Sequence, residues 1–187
     1  MSGILYLVGT PIGNLGDFSP RAIQTLKEAD FIAAEDTRVT LKLLNHFSVK
    51  KPMVSYFEHN RRERGEQIVA RMLAGESCAL VTDAGMPAVS DPGEDLVALC
   101  HERGIRVCAV PGPAAFVTAL ALSGLPAGRF TFAGFFSVNQ RSRKAHPASL
   151  PGEARTMILY EPPRQLTATP RDLYPALGAR RLCIVLG

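Results

Sequence analysis

The sequence has neither a Cys-x-x-Cys pair nor two histidines at metal-ligand spacing. Its four cysteines stand at 78, 100, 108 and 183, each beside apolar residues. They read as small core residues in a reducing compartment, not as disulfides or a zinc site. The four histidines, at 46, 59, 101 and 146, add no ligand set, so no metal is expected. No basic segment followed by a long apolar one opens the chain, which argues against a secretory leader. The uncharged run from Val107 to Leu125 has the length of a membrane span. Pro111-Gly112-Pro113 divides it into a strand and a helix, and no membrane segment is expected. Together these absences predict a cytoplasmic protein. Internal repeats and low-complexity tracts are also missing.

Two phosphate-binding signatures are absent as well. The loop Gly9-Thr10-Pro11-Ile12-Gly13-Asn14-Leu15-Gly16 is rich in glycine but lacks Gly-x-Gly-x-x-Gly. It also lacks the Lys-Ser/Thr ending of a P-loop. Lysine is missing from this loop and from two others of similar build, at 83–93 and 111–115. That argues against a triphosphate ligand, whose charge normally needs one.

What is present describes a soluble α/β protein. The 187 residues are 47% hydrophobic and 20% charged, enough for one large or two small packed domains. The net charge of +4 is a mild basic bias, compatible with an anionic partner. Apolar runs at Ile4–Val8, Phe31–Ala34, Met53–Phe57, Cys78–Val81 and Ile105–Val110 read as buried parallel strands. Helical periodicity separates them. Ser19-Pro20 opens a helix with Ala22, Ile23, Leu26 and Ala29 inward. Thr37 or Asp36 caps one through Leu44, Arg61–Leu73 forms a third and Asp95–Arg103 a fourth. A further apolar helix follows Pro111-Gly112-Pro113 and runs through Leu122.

Strand-helix alternation predicts a doubly wound parallel sheet over residues 1–125. Gly124-Leu125-Pro126-Ala127-Gly128 reads as a linker. A second α/β domain, residues 126–187, is expected to hold a mixed sheet. Its strands are predicted near 130–136, 156–160 and 182–186, with a helix between 166 and 177. The boundary between the domains is a natural ligand cleft.

In open α/β sheets, ligands sit outside the carboxyl ends of the strands. Small residues in the loops at 9–16, 83–93 and 111–115 let a ligand approach the backbone. Asp83 can hold a cation or a ribose hydroxyl. Glu35, Asp36 and Arg38 concentrate charge at the end of the second strand, where Asp36 is also a natural helix cap.

Five stretches in one order carry a family resemblance. They are Thr10-Pro11-Ile12-Gly13-Asn14-Leu15, Ala34-Glu35-Asp36-Thr37-Arg38, Ser55-Tyr56 with His59-Asn60, Asp83-Ala84-Gly85 with Pro87 and Ser90-Asp91-Pro92-Gly93, and Pro111-Gly112-Pro113. The sequence resembles the ribosomal RNA small-subunit methyltransferase I family, a branch of the tetrapyrrole-methylase-like S-adenosylmethionine (SAM) enzymes. The resemblance implies a two-domain homodimer that binds SAM between its domains. It implies 2′-O-methylation of a cytidine ribose in the decoding region of 16S rRNA, with the 30S subunit or its rRNA as partner.

By the same likeness Pro11, Asp83, Ala84, Gly85, Met86, Ser90, Asp91, Pro111, Gly112, Pro113, Ala114 and Ala115 fall on cofactor loops. Tyr160 and Glu161 face the cofactor from the second domain. Met86 stands where the family more often has Thr, and Glu161-Pro162-Pro163-Arg164 lacks the usual His before Arg. Relatives continue past the position of Gly187, so the chain is expected to be a shortened form with a weakened second domain.

The 2′-hydroxyl is a poor nucleophile, and Glu35, Asp36 or His59 could take its proton while Arg38 holds the adjacent phosphate. Capping and surface ion pairing are the competing roles. Arg61, Arg62, Arg64, Arg141, Arg143 and Lys144 are candidates for rRNA backbone contact, with a solvated face as the alternative. Two other readings stay open: a SAM-dependent methylase of a tetrapyrrole or other small molecule, and a SAM- or RNA-binding module without turnover.

Overall fold

A computed structural model describes residues 2–135 and 152–186, and contacts divide the chain into two compact units, Met1–Ala114 and Ala115–Gly187. The first unit holds β1 (Ile4–Val8), α1 (Pro20–Glu28), β2 (Phe31–Ala34), α2 (Thr37–His46), β3 (Met53–Ser55), α3 (Arg61–Leu73), β4 (Cys78–Val81), α4 (Gly93–Glu102) and β5 (Arg106–Val110). All five strands are parallel, in the order β3-β2-β4-β1-β5. Every carboxyl end therefore opens on the same edge of the sheet.

Alternating strand residues feed two cores. On one face Leu5, Ala33 and Leu80 pack with Ile68, Val69 and Met72 of α3 and Leu96 and Cys100 of α4. On the other, Val8, Ile32, Ala34 and Val81 pack with Phe18, with Ala22 and Leu26 of α1, and with Leu44 of α2. This is the doubly wound arrangement that the near-continuous apolar strands predict. Each large aliphatic side chain so buried contributes about 1.5–3 kcal/mol.

The caps follow their residue types. The Ser19 hydroxyl accepts the Ala22 N–H at 3.0 Å, with Pro20 at the first helical position. Asp36 caps α2 by accepting the Arg38 N–H at 2.8 Å. The fourth helix begins at Gly93. Pro92 is its cap residue, and Asp91 accepts the Gly93 N–H at 2.7 Å just ahead of it.

The second unit holds α5 (Ala115–Leu122), β6 (Phe130–Phe135), β7 (Thr156–Tyr160) and α6 (Ala168–Leu177). Contacts place α5 with this unit, so the division falls ahead of the Gly/Pro linker rather than within it. The reason is aromatic packing: Phe116 stacks on Phe132 at 4.6 Å, and Phe132 meets Tyr160 edge-on at 5.0 Å.

Two expectations need correction. Among the described residues the second sheet is a parallel β6-β7 pair rather than a mixed one. Residues 182–186 form no strand, and Leu182, Ile184, Val185 and Leu186 are exposed. An apolar run becomes a strand only where a neighbour supplies a hydrogen-bonding ladder, and no described strand pairs with this one. Cys183 lies in the same stretch and is exposed, unlike the buried Cys78 and Cys100.

Candidate functional site

The strand order sets out the site. Loops 83–93, 9–16 and 111–115 follow β4, β1 and β5, three neighbouring strands. The charged residues Glu35 to Arg38 and Glu58-His59 follow β2 and β3, on the other half of the same edge. Sequence-distant loops are thus arranged as a small-residue half and a charged half, with β4 between β2 and β1.

The small-residue half is tightly built. Thr10 and Gly85 form an antiparallel bridge, with N–H to carbonyl distances of 2.9 and 3.2 Å. Gly9 and Gly112 meet backbone to backbone. A Cβ on Gly112 would lie 2.8 Å from the Gly9 Cα, and one on Gly9 would lie 2.7 Å from both the Gly112 Cα and the Met86 sulfur. Met86 also caps this junction, its sulfur 3.2 Å from the Gly112 N–H. The glycines at 9 and 112 are therefore required by each other. Gly13, by contrast, adopts φ 142° with open space around it.

The 83–93 loop holds strain. Ala88 and Ser90 adopt φ values of 66° and 62°, a left-handed conformation that costs non-glycine residues about 1–3 kcal/mol each. Asp91 stabilises it by accepting the Ala88 and Gly93 N–H groups at 2.9 and 2.7 Å. The Tyr56 hydroxyl donates to the Pro92 carbonyl at 3.1 Å, and burial pushes that phenol up to about 12. Desolvation raises the Asp91 carboxyl above the ordinary carboxylate range, and the charge of Glu35 adds to it.

Four carboxylates, two after β2 and β3 and two after β4, share one recess. Glu35, Glu58, Arg61, Ser90, Asp91 and Glu94 line a recess of about 350 Å³. The Thr82 hydroxyl donates to Glu35 Oε2 at 2.8 Å, and Glu35 Oε1 takes no donor among the described residues. Asp83 Oδ1 accepts the Asp36 N–H at 3.2 Å, and desolvation raises its carboxyl too. Asp36 is fully engaged: both oxygens accept from the Arg38 guanidinium, at 3.0 and 2.6 Å. That bond holds the Asp36 carboxyl at about 2.

The Asp36–Arg38 pair gives a test of sign. Its folded value lies below the ordinary 3.8, so its stabilisation is present above 3.8 and is lost as pH falls towards about 2. Arg38→Ala is expected to flatten acid unfolding in that window, read as circular dichroism against pH.

His59 is not in this recess. It lines a separate hollow with Asn60, Arg62, Glu63, Glu66 and Gln67. Arg61 is held by Asp95 at 2.9 Å and Glu58 at 3.4 Å. Arg141, Arg143 and Lys144 lie outside the described residues. Of the two threonines that tie the strand ends together, Thr10 opens a resemblance stretch, whereas Thr82 carries no motif signal beyond its place next to Asp83.

In the second unit the Tyr160 hydroxyl accepts the Phe116 N–H at 3.2 Å. Glu161 follows it, both carboxylate oxygens buried and without a hydrogen-bond partner among the described residues. A buried, unpaired carboxylate calls for a cationic or N–H-bearing partner. A hollow of about 990 Å³ lies elsewhere, between β7 and α6, and contains none of these residues. Among the described residues no group of three or more His, Cys, Asp or Glu is arranged to hold a metal ion, and no helix is long and apolar enough to cross a membrane. Charge is divided unequally: residues 1–114 carry twelve Lys and Arg against fourteen Asp and Glu, and residues 115–187 nine against three.

Comparison with known proteins gives a consistent pattern. The profile of the Tetrapyrrole (Corrin/Porphyrin) Methylases matches residues 4–185. A ribosomal RNA small subunit methyltransferase I from Synechocystis is 53% identical over 96% of this chain and 64% of its own length. Its counterpart from Thermotoga maritima is 44% identical over 97% of this chain and 82% of its own. The chain spans a little under two thirds of the length of several such relatives. Among solved structures, a diphthine synthase aligns with a TM-score of 0.67 at 16% identity, covering 94% of this chain and 72% of its own. A uroporphyrin-III-C-methyltransferase from Thermus thermophilus aligns with a TM-score of 0.64 at 23% identity, covering 94% and 73%. At these identities the two structures speak for the fold alone.

Proposed function

Because the chain belongs to the tetrapyrrole (corrin/porphyrin) methylase family, in its ribosomal RNA small subunit methyltransferase I branch, we propose that it transfers a methyl group from SAM to the 2′-oxygen of a cytidine in small-subunit rRNA. The observation that carries this reading is the partition of the sheet edge. Small, lysine-free loops follow β4, β1 and β5, and a carboxylate with one free oxygen follows β2.

The residues fit SAM as a ligand. Pro11, Ala84, Gly85, Ser90 and the Pro111 to Ala115 turn offer small side chains rather than phosphate-binding lysines, with the Met86 thioether beside them. Asp83 Oδ2 takes no donor among the described residues and suits a ribose hydroxyl, with Asp91 holding the loop in shape. The unpaired Glu161 carboxylate, next to Tyr160, suits a cationic ligand group. When bound, SAM supplies an electrophilic methyl on a sulfonium.

The chain's own residues do the rest. Glu35 accepts the proton of the 2′-hydroxyl through Oε1 while Thr82 fixes Oε2. Asp36 and Arg38, already paired, hold the start of α2 and present a guanidinium whose side chain is 87% exposed to a neighbouring phosphate. His59 and Arg62 offer outer contacts to RNA. The basic excess of residues 115–187, which includes Arg141, Arg143 and Lys144, supports a polyanionic substrate, whereas Arg61 is already neutralised by Asp95 and Glu58. The reading takes the enzyme to be a cytoplasmic homodimer acting on 30S subunits or their rRNA. Its test is incubation of the chain with methyl-labelled SAM and 30S subunits, naked 16S rRNA or a porphyrinoid. Label in RNA is expected. Label in the porphyrinoid supports small-molecule methylation instead, and binding without transfer supports a module without turnover.

A further inference from the structure

The middle strand of the site makes contacts in both directions. Thr82 directly follows β4, which lies between β2 and β1. Its hydroxyl donates to Glu35 Oε2 at 2.8 Å, at the end of β2. Its carbonyl accepts the hydroxyl of Thr10 at 3.1 Å, at the end of β1. Thr10 is 2% exposed, also lies 3.4 Å from the Gly85 carbonyl through the same hydroxyl, and bridges Gly85 through its backbone. A hydroxyl has one hydrogen to give, and each of these two is given to the neighbouring strand end.

We propose that Thr82 is a positioning residue for methyl transfer, holding Glu35 in register with the loops that carry the methyl donor, and that Thr10 fixes Thr82 from the other side. The proposal rests on Glu35 acting as the base. Transfer requires the 2′-oxygen, the methyl carbon and the sulfur in line, and the base must reach the hydroxyl from the side. The donor loops and Glu35 belong to different strands, separated by 47 positions between Glu35 and Thr82 and 72 between Thr10 and Thr82. The sheet ladder and the Asp36 N–H on Asp83 fix the backbones of these strand ends, and the Thr82 hydroxyl is the contact that reaches the Glu35 carboxylate itself. The hydroxyl occupies one carboxylate oxygen and leaves the other free, so Glu35 keeps one rotamer and one open acceptor. The charged groups around Glu35 are Asp36 and Arg38 on its own connection, Asp83, Asp91 and Glu94 after β4, and Glu58 and Arg61 after β3. Thr82 is neutral and donates to Glu35 directly. It therefore orients the carboxylate without cancelling its charge.

Thr82→Val keeps the side-chain shape and removes the donor, and Thr82→Ser keeps the donor. With Thr82→Val, kcat for rRNA methylation is expected to fall about tenfold or more, the effect of losing one hydrogen bond to a charged group. KM for RNA and SAM affinity should stay within about twofold, since no binding contact is removed. Thr82→Ser should restore kcat, and Thr82→Val should add nothing in a Glu35→Gln background. Urea denaturation of the wild type, Thr82→Val, Glu35→Ala and their double variant reads the contact without turnover, and non-additive midpoints are expected. Unchanged kcat in Thr82→Val, a loss confined to KM or SAM affinity, or additive midpoints would overturn the proposal. Full activity in Glu35→Gln would instead remove the base, and the positioning role with it. A wild-type chain that transfers no methyl to RNA would remove the functional reading itself.

Discussion

Glu35→Gln is expected to reduce rRNA methylation by at least about a hundredfold while leaving SAM affinity unchanged. General-base assistance contributes roughly 10²–10⁴-fold, so loss of the base should show a loss in that range. Two of the neighbouring carboxylates are poorly suited to substitute. Both oxygens of Asp36 are bound by Arg38, and Asp91 Oδ1 is committed to two backbone N–H groups. His59 lines a different hollow. Glutamine preserves the side-chain length and can still accept the Thr82 hydroxyl through its amide oxygen, so the fold is retained. The measurement is single-turnover methylation with saturating SAM, beside calorimetric SAM titration. If Glu35→Gln methylates at the wild-type rate, positioning alone accounts for transfer.

The second large effect separates architecture from ligand contact. Gly112→Val is expected to lower the melting temperature on the order of 5 °C or more. Its Cβ would lie 2.8 Å from the Gly9 Cα, with backbone rather than a flexible side chain in the way. Overpacking of this kind costs about 1–3 kcal/mol or more, and a chain of this size shifts by about 2–4 °C per kcal/mol. Loss of SAM binding in that variant would follow from the damaged β1–β5 junction whether or not the loop touches SAM. Ala84→Leu is the cleaner probe. Ala84 is exposed, so the change should leave stability within about 0.5 kcal/mol. SAM affinity is expected to fall at least tenfold, because a bulky side chain enters the loop that the ligand approaches. Unchanged affinity in Ala84→Leu would remove the 83–93 loop from the cofactor site.

Much of this fold is legible in the sequence because its signals are local. The runs Phe31–Ala34 and Cys78–Val81 are apolar at every position, as strands covered on both faces must be. Ser19-Pro20 and Asp36 announce their helices by side-chain chemistry within three residues. What is not legible is set by contacts between distant segments. The Thr10–Thr82–Glu35 chain joins three strand ends whose order in the sheet differs from their order in sequence. The mutual need of Gly9 and Gly112 has the same origin, and from sequence it passes for a ligand's requirement. Residues 182–186 have strand composition but no described ladder partner, so composition alone misleads there. The earlier division at Ala115 reflects the packing of Phe116 on Phe132, which a Gly/Pro linker signal cannot reveal.

The central claim is methyl transfer to a ribose oxygen of cytidine. Its most direct measurement is nuclease digestion of 16S rRNA labelled by this chain with methyl-tritiated SAM, followed by separation of the nucleosides. The account predicts label in 2′-O-methylcytidine and its loss in Glu35→Gln. Label in a base-methylated nucleoside, or RNA that stays unlabelled while SAM is bound, would contradict it.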